Sequence, residues 1–156
     1  MKNREIAKQL QKLQSLLKNN EITSSGDLDL QAHWSKYLCV LCAGLIENSI
    51  KEICVEFCSK RSNTRIQSYC TFNLNKIQNP KSNRLVEIVQ MFDKSWSAEL
   101  DIFLKDNGRS DAINSIMNNR HQIAHGKDVG LTIVRVSNYL DKTIEVINFI
   151  ENKFNP

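Results

Sequence analysis

The densest cluster of residues able to do chemistry is the run Asn118-Asn119-Arg120-His121-Gln122-Ile123-Ala124-His125-Gly126, which holds two of the three histidines. Ile113, Ile116, Met117 and Ile123 recur at helical spacing, so the run reads as the C-terminal end of a helix that Gly126 closes. His125 then lies in the last turn, where the negative end of the helix dipole attracts a cation, and imidazole exchanges a proton near neutral pH. Arg120 shares its helix face with Ile113, Ile116 and Ile123, which directs the guanidinium towards packed surface. There it requires a carboxylate, a phosphate or a partner chain, and an arginine so placed marks an interface or an anion site.

Two other readings compete for these residues. His121 and His125, four apart, are spaced as a helical metal pair, but Asp128 lies past the glycine break and no His-Glu-x-x-His signature exists. Alternatively, Arg120 and the histidines only cap and pack a bundle. His33, beside Trp34, reads as an exposed or satisfied residue, and Trp34 and Trp96 as packing groups rather than base-stacking platforms. The cysteines are odd in number, and Cys39, Cys42, Cys54, Cys58 and Cys70 follow helical steps, which indicates buried thiols rather than disulfides. On one helix Cys42 and Cys54 stand about 18 Å apart, too far for the two flanking pairs to share a zinc ion. No metal and no other cofactor is expected.

The elements that must position these residues all carry a helical period, and no stretch sustains strand alternation, so the fold class is all-α. Ile6, Leu10, Leu13 and Leu17 mark a first helix over residues 3–19, followed by a loop at Thr23–Asp27. A spine of about 30 residues follows, with Trp34, Leu38, Leu41, Leu45, Ile50, Ile53 and Phe57 along it. Thr64 to Ile77 reads as a short helix that Asn79-Pro80 ends. Ser82 is expected to cap the next helix, Ser95 or Ser97 the one after, which closes at Asn107-Gly108, and Ser110 or Asp111 the Arg-His helix. Thr132 opens the last, with Val136, Leu140, Ile144, Ile147 and Ile150.

An Arg and a His five apart are a weak signal alone, but a helix end reading Arg-polar-x-apolar-Ala-His-Gly, followed by a loop and a final amphipathic helix, resembles the HEPN superfamily. HEPN domains are all-α bundles marked by Arg, four to six residues, then His, usually with a polar residue after the Arg. Arg120 and His125 match with a four-residue gap, and His121 takes the polar place, where Asn is commoner. The stretch from Trp34 to Glu47, and Asn79-Pro80 followed by Leu85 to Trp96, resemble the RiboL-PSP-HEPN branch. The resemblance covers about residues 30–153, behind an N-terminal helix in residues 1–20, and implies a single domain of about six to seven helices over 1–156 with one long central helix.

What the resemblance implies for function is a metal-independent endoribonuclease acting as a homodimer, with the two Arg-His motifs facing each other across a shared cleft. RNA carries its nucleophile in its own 2′-OH, so His125 would serve as general acid or base and Arg120 would brace the phosphorane, leaving a 2′,3′-cyclic phosphate. His121, Asn119 and Lys127 would support catalysis or hold substrate. Many HEPN nucleases carry Glu, three residues, then Lys or Arg on an earlier helix, which Glu47 and Lys51 fit; an ordinary i,i+4 surface ion pair explains the same spacing. The implied setting is a prokaryotic toxin or antiphage effector, with RNA and an antitoxin or associated defence protein as partners. HEPN domains also serve as noncatalytic RNA- or nucleotide-binding modules that partner nucleotidyltransferases, or as dimerisation bundles.

The whole-chain numbers are compatible with this. The 156 residues suit one domain, 41% apolar and 24% charged content is that of a globular protein, and 21 Lys plus Arg against 17 Asp plus Glu leaves +4. That mild basic excess permits a polyanionic partner without demanding one. The longest apolar run, Tyr37 to Ile46, is too short to cross a bilayer, and the charged N-terminus lacks a secretory h-region, so a cytoplasmic protein without a membrane partner is expected.

Overall fold

The computed structural model describes residues 1–156, the side chain of Asn20 excepted. Eight helices follow one another: α1 (Arg4–Leu17), α2 (Asn20–Thr23), α3 (Leu28–Arg61), α4 (Thr64–Leu74), α5 (Ser82–Gln90), α6 (Lys94–Lys105), α7 (Arg109–Ala124) and α8 (Ile133–Phe154). One more element than expected appears, because a single turn, α2, occupies the start of the first loop. There are no strands among the described residues, and no described helix is long and apolar enough to cross a membrane.

The 34 residues of α3 rise about 51 Å and form the spine. Its buried positions, Leu38, Cys39, Cys42, Leu45, Ile46, Ile50, Ile53 and Cys54, occupy about half of the helix surface along its middle, because α8 and α7 pack along it while α1 and α4 cover its flanks. Ile113, Ile116 and Met117 of α7 and Val136, Leu140, Val146, Ile147 and Ile150 of α8 complete that core. Each fully buried Leu or Ile contributes about 1.5–3 kcal/mol by leaving water. At the far end, Phe57, Phe92, Trp96 and Phe154 meet mostly edge to face, with ring centroids 5.0–5.9 Å apart, and tie α3, the turn after α5, α6 and α8 together.

Local signals locate the helix ends with some corrections. Asn3, Asp27, Asn63 and Thr132 accept N–H groups at the starts of α1, α3, α4 and α8, as short polar side chains do. Ser82 is not a cap: it is the first residue of α5, and its N–H donates to Asn114 Oδ1 on α7 at 3.0 Å. A side chain from another helix thus does the capping, which no local pattern reveals. Asp93, not Ser95 or Ser97, caps α6, accepting the N–H groups of Ser95 and Trp96 at 2.7 and 3.0 Å. Neither Ser110 nor Asp111 opens α7, because the left-handed pair Asn107 and Gly108 lets the helix begin at Arg109. The buried carboxylate of Glu151 on α8 accepts the N–H groups of Lys2 and Asn3 at 2.7 and 2.6 Å, which pins the chain just before α1.

Candidate active site at the end of α7

The C-terminus of α7 is terminated by geometry that only glycine adopts readily. Gly126 has φ +68°; its N–H donates to Ile123 O and that of Lys127 to Gln122 O, both at 3.0 Å, which satisfies carbonyls the helix would leave open. His125 is therefore the C-cap, and its N–H is shared between the carbonyls of His121 and Gln122 at 3.2 Å each. The imidazoles of His121 and His125 both stand exposed, edge to face, with centroids 4.5 Å apart.

Arg120 sits where the apolar face of α7 reaches the rim of the bundle. Ile116 and Ile113, one and two turns before it, are buried, Ile123 is half-buried, and Arg120 itself is half-buried. No carboxylate lies within ion-pairing distance of it among the described residues, so its fork is available to an anion.

The sharp exit at Gly126 sends the chain back across the first half of α3. Ser35, fully buried, donates to Leu131 O at 2.8 Å, and Lys36 Nζ donates to Asp128 Oδ1 at 2.8 Å. The hydrogen bond and charge of Lys36, with lesser help from His33, hold the Asp128 carboxyl below the usual carboxylate range. Asp128 is thereby committed to Lys36 rather than to the histidines, and no three ligating side chains gather around a metal position among the described residues. His33 joins the other two histidines at this end of the bundle, although it lies 92 residues from His125 in the chain. Nothing in the spacing foretells that; it follows from α3 and α7 running antiparallel, with the Cys39 thiol donating to Ile116 O at 3.6 Å.

The supporting residues divide. Lys127 is exposed and has no ion-pair partner among the described residues, so it faces the same solvent as the histidines. Asn119 donates one amide hydrogen to Ser115 O at 2.8 Å, which leaves its second N–H and its oxygen for a ligand. Glu47 and Lys51 form the i,i+4 pair at 3.2 Å, and the other Glu47 oxygen accepts the N–H of Asn79 at 3.0 Å, holding the left-handed residue ahead of Pro80. With Cys39 level with Ile116, Glu47 lies about 12 Å beyond that level and Arg120 about 6 Å short of it. Within one chain the pair and Arg120 are thus about 18 Å apart along the helix axes.

The buried thiols take no part in this site. Burial pushes Cys39 up to about 11 and Cys58 up to about 12, the latter helped by its contact with Cys70, and raises Cys42 and Cys54 as well.

A family model described as RiboL-PSP-HEPN matches residues 4–156. The chain belongs to the RiboL-PSP-HEPN family. The match begins at Arg4 and so includes α1 and α2, which extends the resemblance beyond residues 30–153. The HEPN bundle therefore comprises all eight helices, α1 closing one flank of α3. Searches of curated proteins and of solved structures found no match.

Proposed function

We propose that this HEPN protein is a metal-independent endoribonuclease. The observation that carries the reading is Arg120, half-buried, with no carboxylate partner among the described residues, one residue before a histidine that touches His125. A cation partly withdrawn from water and left without a protein anion is an energetic cost unless a phosphate takes the place. The reaction needs nothing else of unusual chemistry. A base removes the proton of the RNA 2′-OH, the oxygen attacks the adjacent phosphorus, Arg120 neutralises the phosphorane, and an acid protonates the departing 5′-oxygen. The products are a 2′,3′-cyclic phosphate and a 5′-OH, with no external water or metal consumed.

In-line displacement puts the attacking and leaving oxygens on opposite sides of phosphorus. His121 and His125, whose rings are in contact, cannot straddle it from one chain, so the acid and base come from two copies of the motif in a homodimer. The surface for such a dimer is on α3. His33, Tyr37, Val40, Gly44, Glu47 and Lys51 share one helix face beside Lys36; Tyr37 and Val40 are exposed, and a Cβ built on Gly44 would meet nothing within 4 Å. A glycine mid-helix costs about 0.5–1 kcal/mol against alanine, and no contact inside the chain explains it. An antiparallel two-fold packing centred between Val40 and Gly44 brings Glu47 and Lys51 of one protomer beside Tyr37 and His33 of the other. The pair that lies remote from Arg120 within a chain thereby reaches the partner's motif. We place the activity in toxin or defence biology, restrained by an antitoxin or associated protein.

The test is cleavage of total RNA in EDTA by the purified protein beside Arg120→Ala and His125→Ala, with product ends tested for cyclic phosphate. Cleavage that both substitutions abolish supports the proposal. Equal cleavage by all three proteins, or none by any, rejects it in favour of a contaminant or of a noncatalytic RNA- or nucleotide-binding module.

A further inference from the structure

The charge of the chain is unevenly placed. Residues 57–86 hold Lys60, Arg61, Arg65, Lys76, Lys81 and Arg84 and no Asp or Glu, while the other 126 residues carry 15 Lys plus Arg against 17 Asp plus Glu. The mild +4 of the whole is therefore +6 on thirty residues and −2 elsewhere. That segment runs from the end of α3 through α4 into α5.

α4 also turns the wrong residues outward for a helix that merely covers α3. Only Leu74 is buried, whereas Ile66, Tyr69 and Phe72, spaced three apart, are 50%, 71% and 65% exposed. Between α4 and α5 runs a groove of about 410 Å³ with Leu74, Ile77 and Ile88 in its lining, Tyr69 and Met91 exposed at its edges, and Lys76 and Arg84 as its only charged groups. Lys76 Nζ stands 4.2 Å over the Phe72 ring. Arg84 is paired with Glu87, but Arg65, Lys76 and Lys81 have no carboxylate at ion-pair distance among the described residues.

We propose that the α4–α5 groove and the adjoining outer face of α4 form a second RNA-contact surface, in which unstacked bases lie on Tyr69 at the groove edge and on Phe72 outside it, while Lys76 and Arg84 in the groove and exposed Lys81 nearby take the phosphates. This rests on the ribonuclease reading for its substrate, but on separate residues. Exposed aromatic faces three apart beside cations, Lys76 and Lys81 unpaired among the described residues and Arg84 in a surface pair that a phosphate can replace, are the combination that holds single-stranded nucleic acid, since every base offers a face to stack. An acidic protein surface would match the charge without using the ring faces, and a membrane would use a convex face rather than a groove. The groove lies at the opposite half of α3 from the Arg120 site: Lys36 and Cys58 are about 33 Å apart along the helix. A stacked strand of roughly ten nucleotides spans that distance. Short RNAs therefore reach one surface only, and longer ones reach both.

The experiment reads binding of a fluorescein-labelled 16-nucleotide 2′-O-methyl oligouridylate, which lacks the nucleophile, by anisotropy on the full chain. Wild type is compared with Tyr69→Ala/Phe72→Ala and Lys76→Gln/Arg84→Gln, at exposed positions, and with Arg120→Ala at a half-buried one, the thermal melt checking the folding of each. The aromatic variant is expected to bind about 10-fold more weakly or worse. The cation variant should lower the slope of log affinity against log salt by about 1.4, or about 0.7 per phosphate contact. Cleavage of the dinucleotide UpA should be unchanged in both. Wild-type affinity in both groove variants, or no binding by wild type, overturns the proposal whatever the cleavage assay shows. Displacement of the probe by poly-glutamate as readily as by poly-uridylate also overturns it, assigning the face to an acidic protein. Groove-dependent binding without RNA cleavage leaves this proposal standing and removes the nuclease instead.

Discussion

Gly126→Ala tests whether the end of α7 positions the chemistry. Gly126 has φ +68°, and a Cβ there would meet no atom within 4 Å, so the substitution introduces no clash. Its cost is that of the backbone alone, about 1–2 kcal/mol for a residue with a Cβ in the left-handed region. The stiffer unfolded chain offsets some of this, about 0.4–1 kcal/mol, which leaves a net destabilisation near 1 kcal/mol. For a domain of this length that is a fall in Tm of about 2–4 °C, and a proportional drop in the urea midpoint at unchanged m. Gly126→Asn should lose less, because asparagine tolerates the left-handed region. If the chain relieves the strain by unwinding, the N–H donors of Gly126 and Lys127 lose their carbonyls and His125 leaves His121. Cleavage should then fall by more than the stability loss accounts for at 25 °C, where nearly all molecules remain folded. Urea unfolding followed by circular dichroism, with RNA cleavage on the same samples, reads both quantities. Wild-type stability and activity in Gly126→Ala, or a larger loss in Gly126→Asn than in Gly126→Ala, would refute the reasoning.

Four further outcomes are expected. Ser35→Ala removes a buried donor to Leu131 O and should cost about 1 kcal/mol in urea unfolding; no change would mean the loop after α7 is not held by that bond. If the proposed homodimer forms through α3, sedimentation should show a dimer for wild type and a monomer for Gly44→Arg, and an unchanged dimer would remove α3 from the interface. The Asp93 carboxyl is held below its ordinary range by hydrogen bonds from the Ser95 side chain and the Trp96 N–H. Its contribution is complete above the unfolded value near 3.9 and is lost as pH falls through the lower folded value, so Asp93→Asn should match wild type at pH 7 and lose less stability on going to pH 3. Among the five cysteines, only half-buried Cys70 should react rapidly with a disulfide reagent at pH 8, against five in guanidinium; fast titration of more than one would mean that the core opens.

The all-α class, the long spine, the closing glycine and the Arg-His helix end were legible in the residues because each is a short-range effect. Helical periodicity decides which face is apolar, and a glycine after a run of helix formers decides where the run stops. The threonine opening α8 is of the same kind. The caps of α5 and α6 were not legible. Ser82 draws its capping acceptor from Asn114 on α7, and Asp93 competes with two serines that look equally suitable.

What the tertiary structure alone decided is who meets whom. Antiparallel packing of α3 against α7 brings His33 and Lys36 to the end that carries Arg120, His121 and His125, spends Asp128 on Lys36, and leaves Arg120 without an anion. The same packing moves Glu47 and Lys51 about 18 Å away, to Asn79, although the resemblance to HEPN nucleases implied a shared site. The packing of α4 beside α5 sets Lys76 and Arg84 in one groove with Tyr69. The sequence by itself determined each helix and each chemically able side chain, since propensity, capping and periodicity act within a few residues. Which of those side chains share a site depends on contacts between residues dozens of positions apart, and these are settled only when the apolar faces of α3, α7 and α8 close on one another.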